Sequence, residues 1–153
     1  MSLAPFVPSP QIVVSTMLEL ANIRKDETLF DLGCGDGRII IEAAQRFGAK
    51  AVGVEMDKDR YEGCVRRIHE SNLDGRVRVI NGNLMDVDLR SADIVTLYLL
   101  TSSNEQVRPK LETELKAGAR VVSHDFPVSK WTPSMVKELK EDWNTHTIYV
   151  YVR

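Results

Sequence analysis

Apolar and polar positions alternate along this chain in two rhythms. The runs TLFDL (28–32), KAVGVE (50–55), RVRVING (76–82), ADIVTLYLL (92–100) and ARVVSH (119–124) are short and dominated by apolar residues, and they read as strands. Between them the apolar spacing changes to about 3.6. RIIIEAAQRFG (38–48) predicts a helix closed by Gly48, and KDRYEGCVRRIHESN (58–72) a helix with Tyr61, Cys64, Val65 and Ile68 on one face. QVRPKLETELK (106–116) predicts another. THTIYVYVR (145–153) is a β-branched and aromatic strand, and SMVKELKED (134–142) fits a strand that turns near Glu141 to Asn144 to meet it.

Ahead of the first strand, APFVPSP (4–10) is too rich in proline to be helical throughout. Ser9 followed by Pro10 predicts an N-cap and first turn, with Ile12, Val13, Met17, Leu18 and Leu20 carrying the helix to about Ala21. Strands alternating with helices predict an α/β fold: a Rossmann-like, doubly wound, mostly parallel sheet. Only the terminal hairpin would be antiparallel, and ligands would bind beyond the carboxyl ends of the strands.

Bulk properties narrow this picture. A length of 153 residues suits one domain spanning 1–153, with 1–10 as a proline-rich lead-in. The hydrophobic fraction of 43% and charged fraction of 27% match globular proteins, and no run is long enough to span a membrane. No secretory pattern opens the chain, and Cys34 and Cys64 have neither CxxC spacing nor histidine-rich company. No metal site and a cytoplasmic setting are therefore expected. A net charge of −2 offers no general basic field, so no stable nucleic-acid partner is expected.

The chemistry centres on DLGCGDGR (31–38). A dinucleotide loop follows GxGxxG, but Arg38 occupies the third glycine position and the glycines run instead Gly33, Gly35, Gly37. This disfavours a nicotinamide dehydrogenase, and without GK[ST] the loop is not a Walker loop. Asp31, at the strand end, can accept from a ligand ammonium, hold the loop or cap the following helix. Glu55, ending the second strand, is placed to grip ribose hydroxyls. Asn83, after the third strand, can offer its amide to an adenine edge. Met56 fits the core as well as it fits an adenine contact. Cys34 is a small loop filler with nothing basic nearby in sequence to activate it.

The order of glycine loop, Glu55, GN at 82–83 and LKAGARVV at 115–122 resembles class I S-adenosylmethionine-dependent methyltransferases over essentially the whole chain. The resemblance implies seven strands with the last antiparallel. It implies Asp31, Gly33, Cys34, Gly35 and Gly37 around the methionine part of S-adenosyl-L-methionine, Glu55 on the ribose, and Met56, Asn83 and Leu84 at the adenine. S-adenosyl-L-homocysteine would be the product. The Asn/Asp-Pro-Pro-aromatic signature of many amide and base methyltransferases would fall at Tyr98, where the chain reads TLYLLTSSNE and lacks it.

FVPSP, DLGCGDGRIIIEAA, TLYLLTSSNE and RVVSHDF are similar to segments of the small archaeal protein-lysine methyltransferases. They also match the mitochondrial relatives that modify ATP synthase and the adenine nucleotide translocase. This resemblance implies transfer to lysine ε-amino groups, with proteins bearing an accessible lysine as partners. With no insert to form a lid, an acceptor that brings its own surface suits the chain. Tyr98, Thr101, Asn104, Glu105, His124 and Asp125 are candidates for positioning the amine. Tyr98, His124 and Asp125 are singled out as catalytic, with Asp125 beside His124 the acid/base candidate and a solvated turn its alternative. Trp131 lines a lysine channel or anchors its loop. An RNA or small-molecule methyltransferase, or a cofactor-binding module without catalysis, are the competing functions.

Overall fold

The structure is a computed structural model that describes residues 7–153; the start of the proline-rich lead-in lies outside the described residues. Helix α1 (Gln11–Leu20) leads into β1 (Thr28–Leu32), α2 (Arg38–Phe47), β2 (Lys50–Glu55), α3 (Lys58–Glu70) and β3 (Val77–Asn81). After a 3-10 turn at Leu84–Asp86 come β4 (Ile94–Leu97), α4 (Thr101–Glu114), β5 (Arg120–His124), β6 (Met135–Glu141) and β7 (Asn144–Val152).

The seven strands form one sheet in the order β3-β2-β1-β4-β5-β7-β6. β1 pairs in parallel with β2 and β4, and β3 and β5 extend the parallel run on either side. β7 inserts antiparallel between β5 and β6, and its hairpin closes with Glu141 opposite Asn144 as the sequence predicts. The order reverses between β1 and β4, and a ligand crevice forms at such a switch point. Leu29, Leu32, Ile94 and Leu97 are fully buried because α1 and α2 cover one face and α4 with the 84–92 segment the other.

Several local expectations need correction. Ser9 does not cap α1: Pro10 holds that position and supplies the carbonyl for Val13 and Val14, while the Ser9 side chain turns to His124. Val65 is 41% exposed, so the buried stripe of α3 is Cys64 and Ile68. β4 stops at Leu97, and α4 starts at Thr101 rather than at Gln106. Serines and threonine there read as a loop, yet such residues are also common at helix starts. Pro109 consequently lies inside α4, where it removes one intrahelical bond. No helix among the described residues is long and apolar enough to cross a membrane.

Candidate active site

β1 ends at Leu32, and the chain turns over the edge of β2. Gly33 and Cys34 both donate their N–H to the Val54 carbonyl at 2.9 Å. Gly33, Gly35 and Gly37 have φ of +83°, +57° and +84°, a left-handed region that L side chains enter at a cost. The close approach to β2 depends on Gly53, where an added Cβ would lie 2.5 Å from Cys34 Sγ and 2.9 Å from Ile40 Cδ1. Gly53 reads in sequence as an ordinary strand residue, yet it seats the loop.

The loop borders a cleft of about 790 Å³, its open mouth included, at the carboxyl ends of β1, β2 and β4. Asp31, Gly33, Cys34, Gly35 and Glu55 line it, and so do Met56, Asn83, Leu84 and Tyr98. Gly37 does not; it packs beneath, where a Cβ would meet Cys64 Sγ at 2.6 Å. The Cys34 and Cys64 thiols are both free and buried. The bond its S–H donates to Cys64 and burial push the Cys34 thiol far above its ordinary value, so it is no nucleophile.

Glu55 is only 6% exposed, and each carboxylate oxygen accepts a backbone N–H, Gly35 at 2.9 Å and Asp57 at 2.9 Å. Arg60 Nε stands 3.4 Å from Glu55. Each oxygen keeps a further lone pair for a ligand. Asn83 uses its Oδ1 to cap the 3-10 turn at Met85 N (2.9 Å), which leaves the NH2 half of the amide as a donor. Met56 is half-buried on the cleft wall, so the core alternative does not describe it.

Asp31 is 3% exposed and accepts a hydrogen bond from Thr96 Oγ1 at 2.9 Å. Burial pushes its pKa up to about 7, the Thr96 bond opposes this, and the Glu55 and Asp36 charges raise it further. A buried carboxyl so poised at a cleft wall is suited to a cation that enters the cleft. Asp31, glycine backbone, Glu55 and the apolar Met56–Leu84 wall together suit a ligand with an ammonium, vicinal hydroxyls and a flat base. The residues fit S-adenosylmethionine.

Tyr98 closes the other end of the cleft. Its ring stacks on His124 with centroids 3.9 Å apart, and burial raises its phenol pKa. His124 and Asp125 do not line the cleft but stand behind Tyr98. His124 is fully buried and held at both nitrogens, Nδ1 at 2.8 Å from Ser9 Oγ and Nε2 at 2.9 Å from His146 Nδ1. Desolvation lowers its pKa to about 4, although Asp125 opposes this. Asp125 has φ +63°, accepts from Thr147 N at 2.9 Å, and places Oδ2 3.5 Å from His124 Nε2. It is therefore fixed by β7 rather than being a solvated turn.

The remaining candidates are not brought to the cleft. Asn104 is buried and donates to the Phe126 carbonyl at 2.9 Å, tying α4 to the chain after β5. Glu105 pairs with Arg108 and Ser129, and Thr101 is exposed at the start of α4. Trp131 anchors its loop: Nε1 donates to Glu112 at 2.9 Å, and its ring meets Tyr151 edge-on and Arg153 face-on.

A family model described as the ANTKMT methyltransferase domain matches residues 31–135, from the glycine loop to the start of β6. The chain belongs to this family. It is 46% identical over 97% of its length to a protein-lysine N-methyltransferase of Saccharolobus islandicus, covering 92% of that protein. Against the adenine nucleotide translocase lysine N-methyltransferase of Mus musculus it is 33% identical over 86% of its length, and it spans 57% of that longer protein. The structure superposes with a TM-score of 0.88 on an RNA methyltransferase from Salinibacter ruber in complex with S-adenosyl-L-homocysteine. That pair is 40% identical, with 95% and 93% of the two chains covered. The chain is thus an S-adenosylmethionine-dependent methyltransferase of the ANTKMT family.

Four residues near this methyltransferase site escaped the sequence reading of its site. Arg38, noted there only as a missing glycine, donates to the Ser9 carbonyl at 2.9 Å and grips Asp36, clamping the lead-in beside the glycine loop. Ser9 lines the cleft, and so does Arg60. His146 reads as one polar position of an alternating strand, and no local signal marks it.

Proposed function

We propose that this methyltransferase modifies lysine ε-amino groups of proteins, with the donor seated across the glycine loop. Asp31 and the backbone of Gly33, Cys34 and Gly35 hold the amino-acid part, while Gly37 supports the loop from beneath. Glu55 holds the ribose hydroxyls, and Met56, Asn83 and Leu84 hold the adenine. The observation that carries the lysine assignment is 46% identity to a protein-lysine N-methyltransferase across 97% of the chain.

The donor supplies an electrophilic methyl carbon on a sulfonium: the amine lone pair forms the N–C bond as the C–S bond breaks and its electrons return to sulfur. The protein's work is alignment of that in-line approach. Lysine's ordinary pKa near 10.4 leaves little neutral amine at pH 7, a deficit of roughly 4–5 kcal/mol. Burial against the Tyr98 ring lowers that cost by disfavouring the ammonium. Two free buried thiols support a reducing, cytoplasmic setting.

RNA is the second reading, because the Salinibacter ruber homologue is described as an RNA methyltransferase. One experiment separates the two. Labelled S-adenosylmethionine is incubated with the enzyme and extract, and the label is followed into protein and RNA fractions with mass-spectrometric site mapping. Label on lysine supports the proposal; label confined to RNA overturns it.

A further inference from the structure

A chain of side chains that the donor assignment leaves unused runs from the cleft mouth to the surface. Ser9 lines the cleft beside Tyr98, and its Oγ lies 2.8 Å from His124 Nδ1. His124 Nε2 lies 2.9 Å from His146 Nδ1. His146 Nε2 has no hydrogen-bond partner among the described residues and points to Glu141 Oε1 at 3.8 Å. The Glu141 side chain is 37% exposed, so its carboxylate reaches solvent. These links join residues far apart in sequence, from the lead-in through β5 and β7 to the end of β6.

His124 Nε2, His146 Nδ1 and Asp125 Oδ2 also converge as metal ligands would, within 4.8 Å of one another. The ring geometry favours a different use. With the nitrogens 2.9 Å apart and the ring centroids 5.0 Å apart, the two nitrogens lie close to the line joining the rings. That is the arrangement of a ring-to-ring hydrogen bond; at the same nitrogen separation, rings converging on a common ion would bring their centroids closer together.

We propose that Ser9, His124, His146 and Glu141 form a proton relay that carries the proton lost by the acceptor lysine from the cleft to solvent. The proposal rests on the lysine reading. A neutral histidine carries one ring proton, so Ser9 O–H donating to His124 Nδ1 leaves His124 Nε2–H to donate to His146 Nδ1 and His146 Nε2–H to face Glu141. One proton passes from the ammonium to Ser9 Oγ, from Ser9 to His124, from His124 to His146, and from His146 to Glu141 or water. One enters, one leaves, and the amine keeps its lone pair for the methyl carbon. The reversed arrangement satisfies the same distances, and passage of a proton back to water at the open mouth, once product has left, restores the first.

The surroundings suit a neutral relay with transient charge. Asp125 is the anion facing both rings, 3.5 Å from His124 and 3.8 Å from His146. Tyr98 covers His124 as an uncharged phenol, Glu141 faces His146, and the buried face of α1 brings only Val13, Val14, Met17 and Leu18. His124 is thus neutral at pH 7, while the Asp125 charge favours a passing imidazolium.

The test is kcat/KM for a lysine peptide between pH 6.5 and 10, in Ser9→Ala, His146→Gln and an exposed control, His69→Gln, with donor affinity measured in parallel. Ser9→Ala and His146→Gln are expected to lose about 10- to 100-fold at pH 7. The loss should shrink steadily as pH rises towards the lysine pKa near 10.4, where a growing share of the amine arrives neutral, and His146→Gly should regain activity with added imidazole. Deficits that are constant with pH at unchanged donor affinity, or equal to that of His69→Gln, overturn the relay. Failure of the parent enzyme to methylate any lysine would instead overturn the lysine reading.

Discussion

The Glu55 carboxylate accepts the Gly35 N–H at 2.9 Å, so the side chain proposed to hold the ribose also holds the loop that wraps the donor. Its other oxygen fixes Asp57 N at the start of α3. Loop, ribose grip and helix start therefore form one unit. Glu55→Ala should remove two charge-assisted bonds and both ribose contacts, weakening S-adenosylmethionine at least 100-fold by calorimetry. Glu55→Gln keeps one oxygen acceptor and should retain part of the affinity. Equal affinity in parent and Glu55→Ala would dissociate Glu55 from the donor.

Asp31 gives a stability signature of opposite sign to that of an ion-paired acid. Its folded pKa, near 7, lies above the unfolded value of 3.8, so the native state holds a proton the unfolded chain releases. Stability from this group is full below about pH 4 and is lost as pH rises towards 7, on the order of 4 kcal/mol in all. Asp31→Asn retains the acceptor for Thr96 and should raise the donor-free Tm at pH 8 while abolishing donor binding. A lower Tm at pH 8 would contradict the assignment.

His124 acts in the opposite sense over an overlapping window. Its pKa falls from 6.5 to about 4 in the fold, so stability from the neutral imidazole is present above 6.5 and lost as pH drops towards 4. The two groups offset each other between pH 4 and 6.5. Denaturant unfolding of Asp31→Asn should therefore expose a stability that rises with pH across that window, whereas the parent is flatter. Parallel profiles would show that one of the two groups does not titrate as described.

Much of this architecture was legible because the central strands are buried on both faces. TLFDL and KAVGVE show it as nearly unbroken apolar runs, and the glycines at 33, 35 and 37 mark the turn between β1 and α2. That the residues proposed to hold the donor share one cleft was legible for the same reason, since they sit at strand ends in order. The acceptor side was not. Ser9, His124 and His146 meet only through pairing of β5 with β7 and the return of the lead-in across the sheet, contacts at sequence separations of 115 and 22. Gly53 escaped for a related reason: its requirement comes from Cys34 packed against it, and a strand glycine carries no mark of what lies above it.

Gly37 and Cys64 provide a stability test of the loop's foundation. Gly37 combines φ +84° with a Cβ position 2.6 Å from Cys64 Sγ, so Gly37→Ala faces backbone strain and a steric clash together. The strain alone is worth roughly 1–2 kcal/mol, and displacing a packed thiol adds a cost of similar size. Cys64→Ala removes the sulfur and leaves the Cβ 3.8 Å away, an ordinary contact. In a double-mutant cycle by urea unfolding, Gly37→Ala should therefore cost less in the Cys64→Ala background than in the parent, with a favourable coupling of about 1 kcal/mol or more. The strain component should persist in both backgrounds, because it depends on φ and not on the neighbour. Additive costs would mean that the thiol moves aside freely and that backbone conformation alone demands glycine at this position.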